Sequence, residues 1–216
     1  MAKLEFKLMA QLFTVHPENP QARLIKQAVQ IIKAGGLIAL PTDSSYAIAC
    51  QLGEKQAQDR IRVLRGVDDK HHFTLLCRDL SEIGVYAQID NQQFRLLKAN
   101  TPGSYTFILP ATREVPRRLQ HPKRSTIGLR IPEHPVTLAL LEELNEPLLG
   151  MTLILPGETL PMHDANTIRE RLEREVDVII DAGACGIEPT TVLDLSQGGV
   201  ELLRRGRGAL AAFGLE

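Results

Sequence analysis

The side chains best suited to chemistry in this chain gather in short polar turns and in clusters of arginine. The turn Leu40-Pro41-Thr42-Asp43-Ser44-Ser45-Tyr46 sets three hydroxyls and a carboxylate at the end of an apolar stretch. In α/β sheets, ligands settle at strand ends, where loop hydroxyls and amides converge, so this turn is a candidate binding element. The same residue types also close an ordinary turn by bonding to their own backbone. The stretch Arg62-Val63-Leu64-Arg65-Gly66-Val67-Asp68-Asp69-Lys70-His71-His72 carries cations at a helix end and into the loop beyond. Such groups hold phosphates through charge-assisted hydrogen bonds, or simply complement a helix dipole. A third turn, Pro102-Gly103-Ser104-Tyr105-Thr106, leads into another apolar stretch.

Charge is unevenly spread. The chain of 216 residues has 25 Lys+Arg against 26 Asp+Glu, a formal charge of −1. That balance excludes a uniformly basic nucleic-acid coat but says nothing about local patches. Residues 111–130 carry Arg113, Arg117, Arg118, Lys123, Arg124 and Arg130 against Glu114 alone, whereas residues 133–181 carry eleven acids against three arginines. Arg113, Arg117, Arg118, Lys123 and Arg124 are therefore a candidate patch for an RNA backbone, the alternative being a solvated loop. Leu203-Arg204-Arg205-Gly206-Arg207-Gly208 adds three guanidinium groups near the C-terminus.

Several chemistries find no support. There is no GxxxxGK[ST], GxGxxG or GxSxG motif, which removes the P-loop, the dinucleotide fingerprint and the nucleophile elbow. The histidines at 16, 71, 72, 121, 134 and 163 form no HxxxH or HExxH pair, so no protein metal site is expected. Cys50, Cys77 and Cys185 are odd in number and widely spaced, which suits free thiols in a reducing cytoplasm. No apolar run approaches the roughly 20 residues of a membrane span, and the start lacks the apolar core of a secretory signal.

These residues must be positioned by alternating helices and strands. Asn19 is expected to cap a first helix with Pro20 in its first turn. Leu24, Ile25, Ala28, Val29, Ile31 and Ile32 form its apolar face, and Gly35-Gly36 ends it. Further helices are expected over 54–64, with Ile61, Val63 and Leu64 on the apolar side, and over 92–99, 135–144 and 167–175. Strands are expected over 37–40, 46–50, 73–77, 105–109, 126–131, 148–153, 178–181, 192–195 and 202–203. Some connections are too short for helical crossovers, so the reading is an α/β fold with a twisted, mixed sheet. One domain is expected over residues 11–208, with an extension at 1–10 and a tail at 209–216.

Taken in order, the motifs resemble the YrdC-like family, most closely its YciO branch. The matching pieces are Pro41 to Tyr46, Phe73 to Leu80, Thr101 to Leu109, Ile127 to Pro135, Pro189 to Asp194 and Leu203 to Gly206. The resemblance implies a single domain with a large, positively charged concave face. In the catalytic branch that cavity makes threonylcarbamoyl-adenylate from threonine, bicarbonate and ATP, with Mg²⁺, for tRNA modification; the family is also linked to double-stranded RNA. The resemblance places Ser44 against threonine with Thr42 beside it, and Arg130 at the amino-acid carboxylate. It sets Thr106 and Thr190 along the cavity and Arg204 at the nucleotide phosphates.

Two signatures depart from the catalytic branch. Its K-x-R aligns with Arg65-Gly66-Val67, so Val67 replaces the second cation. Its S-x-N aligns with Thr152-Leu153-Ile154, so Ile154 replaces the amide. Losing two donors of charge-assisted bonds, each worth about 1.5–3 kcal/mol, is expected to weaken or alter synthase activity. Three functions stay open: a nucleotide-binding cavity with altered adenylate chemistry, a non-catalytic double-stranded RNA binder, or a binder of another ligand such as a carbamoylated metabolite.

Overall fold

A computed structural model describes residues 9–69 and 71–215. Residues 1–8 of the expected N-terminal extension lie outside the described residues. Ten strands form one sheet: β1 (Gln11–Thr14), β2 (Ile38–Leu40), β3 (Ala47–Gln51), β4 (Thr74–Leu76), β5 (Tyr105–Pro110), β6 (Thr126–Arg130), β7 (Leu148–Thr152), β8 (Val178–Asp181), β9 (Thr191–Asp194) and β10 (Glu201–Arg204). Their spatial order is β1-β8-β2-β3-β7-β4-β6-β5-β9-β10. Pairs β1/β8, β2/β8, β4/β6 and β5/β9 run parallel and the other five antiparallel, so the sheet is mixed. Six helices flank it: α1 (Ala22–Lys33), α2 (Lys55–Arg65), α3 (Leu80–Tyr86), α4 (Asn91–Asn100), α5 (Pro135–Leu144) and α6 (Ala165–Leu172). The result is a single-domain α/β fold.

Strand periodicity sorts the core. Ala39, Ile48 and Cys50 face one cluster, while their neighbours Ile38, Leu40, Ala47 and Ala49 face the other. Helices α1 and α5 cover the second face with Ile25, Ala28, Val29, Ile32, Val136, Leu140, Leu141 and Leu144. The central strands are buried on both faces, which is why they read as continuous apolar runs.

Local details differ from the sequence expectation. Gln21, not Asn19, precedes the first turn of α1 without a side-chain cap; the Asn19 backbone instead donates to His16 Nδ1. Val63 is 81% exposed, because α2 turns its Ile61 face inward. Strand β1 and helix α3 were not expected, and α6 begins two residues early because Asp164 caps it through the Asn166 and Thr167 amides. The expected tail is part of the domain: Leu210 and Phe213 are buried, and Phe213 packs against Tyr105 and Phe107. Among the described residues, no helix is long and apolar enough to cross a membrane.

Candidate functional site

Where α1 and α5 stop covering the sheet, a cavity of about 340 Å³ opens over the sheet face and the loops that border it. Ala47 and Leu76 belong both to the helix-covered cluster and to the cavity wall, and mark that transition. Alternate residues of neighbouring strands form the floor: Thr74 on β4, Thr106 and Ile108 on β5, Thr126, Gly128 and Arg130 on β6, Gly150 and Thr152 on β7. Gly128 leaves room there, since a β-carbon would stand 3.3 Å from Thr74 Oγ1 and 3.4 Å from Thr106 Cγ2. The volume lies at the lower end of that typical for small-molecule sites.

Of the residues singled out from the sequence, Thr42, Arg65, Thr106, Arg130, Thr152, Thr190 and Arg204 line this cavity. Ser44 does not. Its hydroxyl is buried behind the turn, 3.1 Å from Thr42 Oγ1, and accepts from Arg130 Nη1 at 3.3 Å. Thr42 Oγ1 donates to the Ser45 carbonyl at 2.6 Å and accepts from the Ser44 and Ser45 amides, so much of the turn's hydroxyl chemistry serves the turn.

Asp43 organises this corner. Its carboxylate accepts from Arg130 Nη2 at 2.5 Å, from Ser104 Oγ at 2.5 Å and from the Glu133 amide at 3.1 Å. One buried carboxylate thus ties together the β2–β3 turn, the loop before β5 and the end of β6. The Asp43 and Arg130 side chains are both 7% exposed, and burial draws the Arg130 pKa down while Asp43 opposes that shift. Arg130 Nε remains buried without a hydrogen-bond partner.

The opposite wall is built differently. Arg65 sits in the last turn of α2, where Gly66 closes the helix in the left-handed conformation (φ 61°). Arg65 Nη1 donates to the Ile154 carbonyl, while its Nε is buried with no partner. Arg204, on edge strand β10, donates to the Thr190 carbonyl at 2.9 and 3.1 Å and to Thr190 Oγ1 at 3.1 Å. Thr190 Oγ1 is in turn 2.9 Å from Thr106 Oγ1. Burial lowers the pKa of both arginines. The glycines of the 204–208 segment are structural: Gly206 lies against the Pro189 and Thr190 backbone, and Gly208 against the Tyr105 ring.

The 111–130 cations do not form one patch. Arg113 is 95% exposed beside Glu114, and Arg118 donates to Gln58 Oε1 and the Gly53 carbonyl. Arg124 pairs with buried Asp194 at 2.8 Å and borders the cavity. Arg117, Arg118 and Lys123 line one neighbouring hollow, with Leu119 buried at the end of the 3₁₀ turn Arg117–Leu119. Two features were not singled out from sequence: Asp43 as the ion-pair centre, and His71, His72 and His121 as cavity lining. The adjacent histidines after α2 were a usable signal, whereas His121 arrives only through tertiary packing.

Val67 and Ile154 also part company. Ile154 lines the cavity, while Val67 packs against the core and does not. Among the described residues, the lining contains four arginines, three histidines and no carboxylate.

The single-domain α/β fold with its mixed ten-stranded sheet is one that known proteins share. Residues 30–206 match the model of the Sua5/YciO/YrdC family, described as "Telomere recombination", and the chain belongs to that family. It is similar to Escherichia coli YciO, an uncharacterised protein, at 51% identity over 205 residues, covering 95% of this chain and 100% of YciO. The E. coli YciO crystal structure matches with a TM-score of 0.91 over the same shares. A threonylcarbamoyl-AMP synthase of Coxiella burnetii is 28% identical over 185 residues, 83% of this chain and 96% of that enzyme. P. abyssi Sua5 complexed with L-threonine matches at TM-score 0.83 and 26% identity, over 90% of this chain and 57% of that one.

Proposed function

We propose that the cavity takes an adenine nucleotide together with a small carboxylate-bearing metabolite, threonine or its carbamate. The chain then carries a weakened or altered form of threonylcarbamoyl-adenylate chemistry. The observation that carries this reading is the convergence of Arg65, Arg130 and Arg204 on one cavity with no carboxylate in its described lining. Among the described residues, Arg65 and Arg204 spend their bonds on backbone carbonyls and Thr190, not on carboxylates. An anion that meets them displaces no ion pair, and forms charge-assisted bonds worth about 1.5–3 kcal/mol each. Arg130 is already ion-paired with Asp43, which suits it to hydrogen-bond a single carboxylate rather than to hold a polyphosphate. Relatedness to threonylcarbamoyl-AMP synthases, and the threonine complex of Sua5, support the choice of ligands.

Weak turnover follows from the wall opposite Arg130. Ile154 sets an apolar side chain beside Arg65, where an amide would offer two donors. Mg²⁺ fits only as part of the nucleotide complex, because the described lining has no carboxylate and no described cluster of acids, histidines or cysteines is built to hold a metal. Calorimetric titration with AMP and ATP tests binding, and pyrophosphate release from ATP, Mg²⁺, bicarbonate and threonine tests chemistry. Nucleotide binding with slow release above a buffer blank is expected. No heat with either nucleotide overturns the reading.

A further inference from the structure

Beside the main cavity lies a second hollow, of about 680 Å³, that the nucleotide reading leaves unused. The two share His71, His72, Phe73, Leu119 and His121, so a single wall joins them. The rings of His72 and His121 meet in that wall with centroids 5.0 Å apart. On the far side, Arg62, Arg117, Arg118 and Lys123 face Asp69 as the sole carboxylate of the described lining. Arg62 pairs with Asp59 at 3.8 Å and Asp69 at 3.4 Å and lies 4.9 Å over the Phe73 ring, while its buried Nε makes no hydrogen bond. Arg118 is bonded to Gln58 and the Gly53 carbonyl. The Arg117 and Lys123 side chains make no hydrogen bond or ion pair with any described residue.

We propose that this second hollow is a diphosphate site, taking inorganic pyrophosphate or the terminal diphosphate of a nucleotide whose nucleoside end occupies the main cavity. The proposal rests on the nucleotide reading of that cavity. A guanidinium fork and an ammonium without partners among the described residues, on a concave wall with imidazoles, match the dense charge of a small polyphosphate. A duplex backbone presents phosphates along an extended surface and calls for a stripe of cations. Arg113, turned away beside Glu114, breaks that stripe.

The test is calorimetry with pyrophosphate, AMP and ATP on three proteins. These are the wild type, R117A/K123A, and the charge-matched control R95A/K98A on α4. The ratio of pyrophosphate to AMP affinity is expected to fall about tenfold or more in R117A/K123A, the loss of one charge-assisted contact or more. It should stay within about twofold in the control, since those cations lie outside both hollows. An ATP affinity that falls alongside identifies a tethered diphosphate, and an unchanged one identifies free pyrophosphate. Equal ratios in both variants overturn the proposal, as does an effect confined to a short RNA duplex. Absence of AMP binding to the wild type is a failure of the cavity reading instead, and is seen separately.

Discussion

The corner around Asp43 and the wall formed by Arg65 and Arg204 both bring arginine to the same cavity, but they use it in opposite ways. At the corner, Arg130 is locked by a buried carboxylate that also holds Ser104 and the Glu133 amide. Elsewhere in the lining, Arg65 and Arg204 are steadied, among the described residues, by carbonyls and one threonine hydroxyl. The difference separates framework from function. A charge matched within the protein fixes geometry, whereas a charge held by neutral groups keeps its field for a ligand.

The sharpest way to break this contrast is Asp43→Ala. It strands the Arg130 guanidinium in a site 7% exposed and unties three loops at once. Removing one partner of a buried ion pair costs about 3–5 kcal/mol, so urea unfolding is expected to show a loss of that size. A loss below about 1 kcal/mol, within the range of surface pairs, abolishes the distinction.

Arg204→Ala probes the other side. Here stability should change little, since the residue sits on an exposed edge strand, while nucleotide affinity falls about 10- to 100-fold through one charge-assisted contact. Paired denaturation and titration check both halves. A variant that loses stability but keeps affinity assigns Arg204 to the framework as well.

This split explains what the sequence could and could not disclose. The buried strands and α5 were legible because apolar runs and a Pro-initiated, leucine-rich segment leave few other foldings. Seven of the eight residues expected at the cavity do line it, since strand ends dictate where turns converge. Ser44 lies outside because its hydroxyl is engaged by the side chains of Thr42 and Arg130, and the Arg130 partner is 86 residues away in the chain. Asp43 was passed over for a like reason: its partners Ser104, Arg130 and Glu133 lie 61 to 90 residues away. The run of cations at 113–124 divides in space, with Arg117, Arg118 and Lys123 at one hollow, Arg124 paired with Asp194 beside the main cavity and Arg113 beside Glu114, a split that sequence adjacency hides.

Ile154→Asn sharpens the contrast by adding donors to the open wall. The side chain already lines the cavity, next to the carbonyl that holds Arg65. If the apolar side chain limits chemistry, pyrophosphate release should rise about tenfold, the effect of one contact of about 1.4 kcal/mol gained in the transition state. Single-turnover release decides it; an unchanged rate with intact nucleotide binding places the limitation elsewhere.

The smallest expected effect is on pH. Burial, then Arg65, lower the His71 pKa, with Arg204 adding to the fall and Asp68 opposing it. Burial, His121, His71 and Arg124 lower that of His72. Both rings are therefore neutral in the empty protein at pH 7.5. A phosphate-bearing ligand brings negative charge that stabilises the imidazolium forms and raises both pKa values, so the bound state holds more protons. Affinity must then rise as pH falls from 7.5 toward 6. The ligand's own titration is removed by comparing wild type with H71Q/H72Q, whose slope lacks the histidine contribution. At the corner, His134 lies within the field of Asp43, with burial lowering its pKa and Asp43 opposing that shift, so its contribution is common to both proteins and cancels in the comparison. Identical slopes in the two proteins remove the histidines from the ligand's surroundings, and with them the shared wall between the two hollows.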